Sequence, residues 1–217
     1  HDTVQNYVSM LAAAYGKLKA KSANADTVMM GGIGARRYLP FYRLFLENGG
    51  YSYTDKLAMH GYDLDPWNYL AINDSMNIES GKGVTDTESH MILFNKSSDD
   101  MYSTEKELAL RMLKEYLQQI KYGVEKIAFF QPYDNSVQAE DLMKLDSREE
   151  NWSAVASGLF RKRPDFEPRF SAGVLNTLIS VSGNSVEYCD EYKSGNINIV
   201  KLKADNSYIG VVWCDGL

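Results

Sequence analysis

Hydrophobic positions along the first 130 residues follow two alternating patterns. Apolar residues three or four positions apart predict helices, and short apolar runs bounded by glycine or polar residues predict buried strands. Helices are predicted at 4–18, 38–45, 66–78 and 103–122, and strands at 27–30, 56–60, 83–87 and 127–130. A strand followed by a helix, repeated along a chain, is typical of parallel βα units, so the predicted fold class is α/β.

The pattern changes after about residue 155. A last helix is predicted at 170–179, and three β-rich segments joined by polar turns follow at 186–189, 197–202 and 208–213. Short strands linked by turn residues predict an antiparallel sheet. We therefore predict an α/β domain over residues 1–182 and antiparallel β strands over 183–217.

Composition and charge argue against two classes of partner. The chain has 217 residues, of which 44% are hydrophobic and 24% are charged, as is ordinary for a globular protein. No apolar run approaches the roughly 18 residues that a membrane span needs. The net charge of -6 argues against binding to a polyanion. We expect neither nucleic acid nor a membrane as a partner.

Cysteine and tyrosine usage leaves alternatives open. Cys189 and Cys214 have no further ligands at metal-binding spacing, so we expect no metal and no cofactor. The two cysteines are either buried thiols or one disulfide. The 15 tyrosines either pack within the protein or stack on the flat faces of a ligand such as a sugar ring.

The residues that follow each predicted strand are the candidate site, because ligands of parallel α/β folds bind beyond the C-terminal ends of the strands. The first strand precedes Gly31-Gly-Ile-Gly34, which matches neither the dinucleotide-binding nor the P-loop pattern and indicates a close backbone approach. The other three strands end in His60-Gly-Tyr62-Asp63 (with Trp67 nearby), in Thr87-Glu88-Ser89-His90 and in Gln131-Pro-Tyr133-Asp134.

Glu88 is the most informative of these residues. A carboxylate at the end of a central strand, after the run Val-Thr-Asp-Thr, suits nucleophilic or acid–base chemistry. The same position is compatible with an exposed loop acid or a helix cap. His60 by itself is more often a structural histidine than a catalytic one.

The order and spacing of the motifs resemble a known class of enzymes. The segments "LAMHGYD", "GKGVTDTES", "GVEKIAFFQPYD" and "SGLFRKRPDFEPRFSA" precede a β tail that ends in "GVVWCDG". Together they resemble the C-terminal half of a clan A retaining glycoside hydrolase, a (β/α)8 barrel of the β-xylosidase and endoglycanase type. The resemblance implies that residues 1–182 contain strands five to eight of a TIM barrel and that 183–217 belong to an accessory β-sandwich.

The resemblance also implies roles for individual residues. Glu88 corresponds to the catalytic nucleophile, Tyr62 orients that carboxylate through a hydrogen bond, and His60 lines the same pocket. The implied substrate is a polysaccharide or oligosaccharide, cleaved by a retaining double displacement, and the implied location is extracellular or periplasmic. The remaining residues implied to contact substrate are Trp67, His90, Phe130, Gln131 and Tyr133.

Length suggests that the active site is incomplete within these residues. A closed eightfold βα barrel has about 250 residues. The resemblance also implies an acid/base Glu that follows an Asn at the end of strand four, and no such Asn-Glu pair stands at the start of the sequence. We expect a fragment that is inactive by itself and pairs with a missing N-terminal half or with a second copy. Two alternatives remain: a non-catalytic carbohydrate-binding relative of the barrel, and a doubly wound nucleotide-binding domain.

Overall fold

The computed structural model describes residues 2–21, 27–60, 82–89, 101–129, 159–160, 167–183, 185–205 and 207–215. The chain divides into two compact units, His1–Ser89 with Val124–Ala128 and His90–Gly123 with Phe129–Leu217. The helix predicted at 66–78 lies outside the described residues. The domain boundary at residue 182 stays a prediction.

In its described residues, the first unit combines two helices with a four-stranded sheet. The sheet order is β1-β2-β3-β4, and the β1–β2 and β2–β3 pairs are parallel, which confirms the predicted direction of these strands. In chain order the elements are α1 (Asp2–Lys21), β1 (Ile33–Gly34), α2 (Ala35–Glu47), a 3-10 turn (Gly50–Tyr53), β2 (Leu57–His60), β3 (Val84–Ser89) and most of β4 (Val124–Phe129).

The first strand lies later in the chain than predicted. Residues 27–30 form one isolated parallel bridge, between Met29 and Lys56, instead of a strand. The amide of Val28 donates to Asp55 Oδ2 at 2.8 Å, and the amide of Met30 donates to Thr54 Oγ1 at 2.9 Å. The Met30 amide also donates to the Lys56 carbonyl oxygen at 3.4 Å, so the Thr54 hydroxyl shares this amide with the backbone.

The core of the first unit joins both helices to the sheet. Tyr42 and Phe45 of α2 are fully buried, and their rings stack at 6.4 Å. The helix ends at Glu47, and Gly49 two residues later has a φ of 75°, a left-handed conformation that glycine adopts without strain. Other members of this core are Val4, Val8, Leu11, Met30, Leu46, Leu57, Ala58 and Met59.

The part of the second unit that the structure describes has two helices packed on an antiparallel sheet. Its core contains Leu117 from the first helix and Val200 and Leu202 from the sheet. The predicted helix at 170–179 and the three predicted antiparallel strands are confirmed. The elements are α3 (Met101–Lys121), α4 (Phe170–Ser182), β5 (Glu187–Ser194), β6 (Ile197–Ala204) and β7 (Ser207–Cys214), with sheet order β5-β6-β7.

Neither expectation for the cysteines agrees with the structure. Cys189 and Cys214 are both free thiols, so the disulfide alternative is wrong. Cys189 is exposed on β5 and Cys214 is half-buried, so the alternative of two buried thiols is wrong as well.

None of the helices that the structure describes is long and apolar enough to cross a membrane.

Candidate functional site

The candidate site lies in the first unit, where β2 and β3 end side by side. His60 is the last residue of β2, and Glu88 is the penultimate residue of β3. His60 Nδ1 is 3.4 Å from Glu88 Oε2, within ion-pair distance when the imidazole is protonated. The two side chains are 25% and 35% exposed, so both are reachable from solvent. The predicted proximity of these two residues is therefore present in the structure.

An irregularity in strand pairing brings the two side chains together. Met59 pairs with Asp86, but the next residue, His60, pairs with Glu88, so the register shifts by one residue. Successive side chains of a strand point to opposite faces of the sheet. Without the shift His60 would lie beside Thr87, and Glu88 would be directed to the other face. This β-bulge lies between parallel strands, where bulges are rare, and bulges are over-represented next to active sites, where they redirect a side chain.

A glycine allows β1 to approach the same two strands. A Cβ added at Gly32 would lie 2.1 Å from His60 Nε2 and 2.6 Å from Thr87 Oγ1. Both distances are far below van der Waals contact, so any side chain at this position would displace His60 or Thr87. The close backbone approach that the glycine-rich segment predicts is confirmed at Gly32.

Polar residues of β3 support the bulge from within the sheet. Asp86 is completely buried, and its Oδ1 accepts a hydrogen bond from the Glu88 amide at 3.2 Å. Thr87 Oγ1 donates to the Met59 carbonyl oxygen at 3.0 Å. Sequence reasoning did not assign roles to Asp86 and Thr87. Their polar character within a buried strand was the available signal, because buried polar groups are nearly always hydrogen-bonded.

The other predicted site residues lie outside the described part of the chain. These residues are Tyr62, Trp67, His90, Phe130, Gln131 and Tyr133. Their roles stay predictions. Within the described ranges, no group of three or more His, Cys, Asp or Glu side chains is arranged to hold a metal ion.

The described geometry suits chemistry at a carboxylate. Glu88 presents an accessible carboxylate at the C-terminal ends of the parallel strands, where ligands of α/β folds bind. His60 is close enough to orient that carboxylate through its Nδ1. A carboxylate held in this way can act as a nucleophile or as a general base.

Sequence comparison gives no relative for this chain. No protein-family model matches the sequence, and no curated protein matches it either.

Structural comparison defines the fold as glycoside hydrolase-like. One similar structure is a family 39 glycoside hydrolase from the gut symbiont Bacteroides cellulosilyticus WH2, with a TM-score of 0.68 and 18% identity over 96% of this chain and 44% of that one. Another is a β-porphyranase of glycoside hydrolase family 86 from the human gut bacterium Bacteroides plebeius, with a TM-score of 0.52 and 13% identity over 93% of this chain and 41% of that one. The chain thus spans less than half the length of each. At these identities the likeness shows the fold alone.

Proposed function

We propose that this chain contributes the nucleophile to a retaining glycoside hydrolase, and that Glu88 is that nucleophile. The observation that carries the proposal is the position of Glu88. Its carboxylate lies at the end of β3, turned by a bulge to within 3.4 Å of His60 Nδ1. The glycoside hydrolase-like fold extends over more than nine-tenths of the chain in both comparisons, which supports a carbohydrate as the substrate.

In the proposed reaction a Glu88 carboxylate oxygen attacks the anomeric carbon of the sugar. The glycosidic C–O bond breaks, and a second carboxyl group gives its proton to the departing oxygen. A water molecule, deprotonated by that same second group, then cleaves the glycosyl ester and restores the Glu88 carboxylate. Two displacements at one carbon retain its configuration.

The remaining groups of the proposed site act on the nucleophile or on the sugar. His60 holds the Glu88 carboxylate in one orientation, and Tyr62 donates a second hydrogen bond to it. Trp67 and Tyr133 supply flat aromatic faces for sugar rings, since stacking of this kind suits a carbohydrate ligand. His90, Phe130 and Gln131 complete the proposed contacts to substrate.

The second carboxyl group is proposed to come from outside these 217 residues. Residues 1–182 would then form strands five to eight of a TIM barrel, and a missing half or a second copy would supply the rest. The chain spans 44% and 41% of the lengths of the two similar hydrolases, which supports this arrangement. We further propose that the enzyme acts outside the cytoplasm, where polysaccharides are found.

The test is replacement of Glu88 by alanine in the full-length protein that contains this chain, assayed on aryl glycosides. We expect turnover to fall by at least about 10³-fold, because the residue that forms the covalent intermediate is lost. Added azide should restore product formation as a glycosyl azide of inverted configuration, since azide then attacks the anomeric carbon directly.

The matched control is Glu47→Gln, which changes an exposed carboxylate at the end of α2 in the same unit. This variant should retain wild-type turnover. A Glu88→Ala protein with wild-type activity would contradict the assignment. Rescue by azide with retained configuration would instead identify Glu88 as the acid/base group.

A further inference from the structure

The residues that carry this inference are Asp86, which is buried on β3, and the half-buried Thr87 that follows it. Thr85 and Asp86 are both buried, and Asp86 has no exposed surface. Burial of a carboxylate is unfavourable unless hydrogen bonds compensate the lost hydration. The Glu88 amide donates such a bond to Asp86 Oδ1 at 3.2 Å. Asp86 therefore combines complete burial with a direct contact to the backbone of Glu88.

The bulge lies between two hydrogen bonds, one made by Asp86 and one by Thr87. Thr87 Oγ1 donates to the carbonyl oxygen of Met59, the last β2 residue before the register shift. Asp86 accepts from the amide of Glu88, the first β3 residue after the shift. Thr87 is the extra residue of the shifted register: it has no opposite residue in the β2 pairing, although its hydroxyl group bonds to Met59. The two hydrogen bonds thus stabilise the backbone on both sides of the extra residue.

Fastening the bulge fixes the direction of the Glu88 side chain. A register slip of one residue moves a side chain to the opposite face of a sheet. Loss of the bulge would therefore take the Glu88 carboxylate away from His60, although Glu88 itself would be unchanged. Displacement of a reacting group by about 1 Å can lower a rate by about a hundredfold.

We propose that Asp86 and Thr87 are positioning residues, which hold the β-bulge that directs the Glu88 carboxylate toward His60 and the substrate. This inference rests on the proposed function, because it assumes that Glu88 reacts with the sugar. Neither residue touches substrate or the reacting atoms. Each acts through the backbone around Glu88.

The test compares variants of both residues in the full-length protein that contains this chain. Asp86→Ala and Thr87→Val remove the two hydrogen bonds. Asp86→Asn and Thr87→Ser keep an acceptor oxygen and a hydroxyl group in nearly the same place. Thr85→Val is the matched control, since it also replaces a buried polar residue of β3 but lies before the register shift.

We expect kcat to fall about a hundredfold in Asp86→Ala and in Thr87→Val, while KM changes by less than about threefold. Asp86→Asn and Thr87→Ser should retain most of the wild-type kcat. Thr85→Val should keep wild-type kinetics. The amide proton resonance of Glu88, measured by NMR, should move upfield in Asp86→Ala and stay near its wild-type position in Asp86→Asn.

Two outcomes would overturn the inference. One is wild-type kcat in Asp86→Ala and Thr87→Val while Glu88→Ala is inactive. The other is an equal loss in Asp86→Asn and Asp86→Ala, or in Thr85→Val and Thr87→Val, because hydrogen bonding at the bulge would then not be the cause. Failure of the proposed function is separate, since it would appear as wild-type turnover in Glu88→Ala itself.

Discussion

At the scale of single residues, the candidate site depends on a glycine at position 32. Gly32 has no Cβ, and this lets the backbone after residues 27–30 lie against the His60 ring. The ring is therefore confined between that backbone on one side and the Glu88 carboxylate on the other. Confinement of this kind limits the orientations that the His60 ring can adopt.

Gly32→Ala should destabilise the protein by about 1–3 kcal/mol, because the new methyl group would overlap His60 and Thr87. Urea unfolding of the 217-residue chain measures the change. Gly31→Ala is the control, since its Cβ would meet Tyr7 Oη at an ordinary 3.4 Å. Equal stabilities for the two variants would show that Gly32 is not closely packed.

At the scale of elements, a single carboxylate ties α1 to the segment that precedes β1. Asp55 accepts hydrogen bonds from the Tyr15 hydroxyl at 3.0 Å and from the Val28 amide at 2.8 Å, and Lys19 Nζ lies 2.7 Å from it. The hydrogen bond from Lys19, followed by that from Val28, holds the pKa of Asp55 below its ordinary value. The ionised form is therefore the form that stabilises this connection.

Because the folded-state pKa of Asp55 is depressed, its contribution is present above the unfolded-state pKa of about 3.9 and is lost as the pH falls through the folded-state pKa. Asp55→Asn should lower the free energy of unfolding by about 1 kcal/mol at pH 7 and should flatten its decline in acid. Urea unfolding between pH 7 and pH 2 tests this expectation. Glu47→Gln, which removes an exposed carboxylate of the same unit, is the matched control. An Asp55→Asn curve parallel to that of the wild type would contradict the linkage.

A buried ion pair connects α3 with the start of α4 in the second unit. Arg169 Nη1 donates to Glu105 Oε1 at 2.5 Å, and the two side chains are only 6% and 3% exposed. Removal of one partner would leave the other charge buried without its counter-charge, which is far less favourable than removal of both.

Glu105→Leu alone should destabilise the chain by about 3–5 kcal/mol. The double variant Glu105→Leu with Arg169→Met should recover most of that loss, because no uncompensated charge then remains. Urea unfolding of the two single variants and the double variant gives the coupling energy. Additive losses in the double variant would mean that the pair does not act as a unit.

At the scale of the whole molecule, the glycoside hydrolase-like fold occupies a chain of 217 residues that spans less than half of each similar hydrolase. A retaining reaction needs two carboxyl groups about 5–5.5 Å apart. Glu88 is the proposed first group, and the second is proposed to lie beyond these residues.

The purified 217-residue chain should therefore show no hydrolysis of aryl glycosides whose leaving groups require protonation. The measurement is release of the aryl alcohol over a panel of sugars, with the full-length protein as the positive control. Hydrolysis by the short chain that Glu88→Ala abolishes would refute the proposed origin of the second carboxyl group.

The sequence by itself determined the type of most elements. Helices α1 to α4 and strands β2 and β3 are near their predicted positions, because the spacing of apolar residues reflects which side of an element is buried. The same pattern indicated that Glu88 ends a central strand. The left-handed conformation at Gly49 is likewise a local requirement, which glycine meets without strain.

Only the tertiary structure decided how the candidate site is assembled. The shift that pairs His60 with Glu88 depends on hydrogen bonds such as that from Thr87 to Met59. These two residues are 28 positions apart in sequence. The segment before β1 likewise makes hydrogen bonds to side chains of residues 54 and 55, which are 24 and 27 positions away in sequence. Strand pairings that differ by one residue are nearly equivalent in their local structure, and contacts between distant segments select one of them. Local periodicity carries no information about those contacts, so it located Glu88 on a strand but not the direction of its carboxylate.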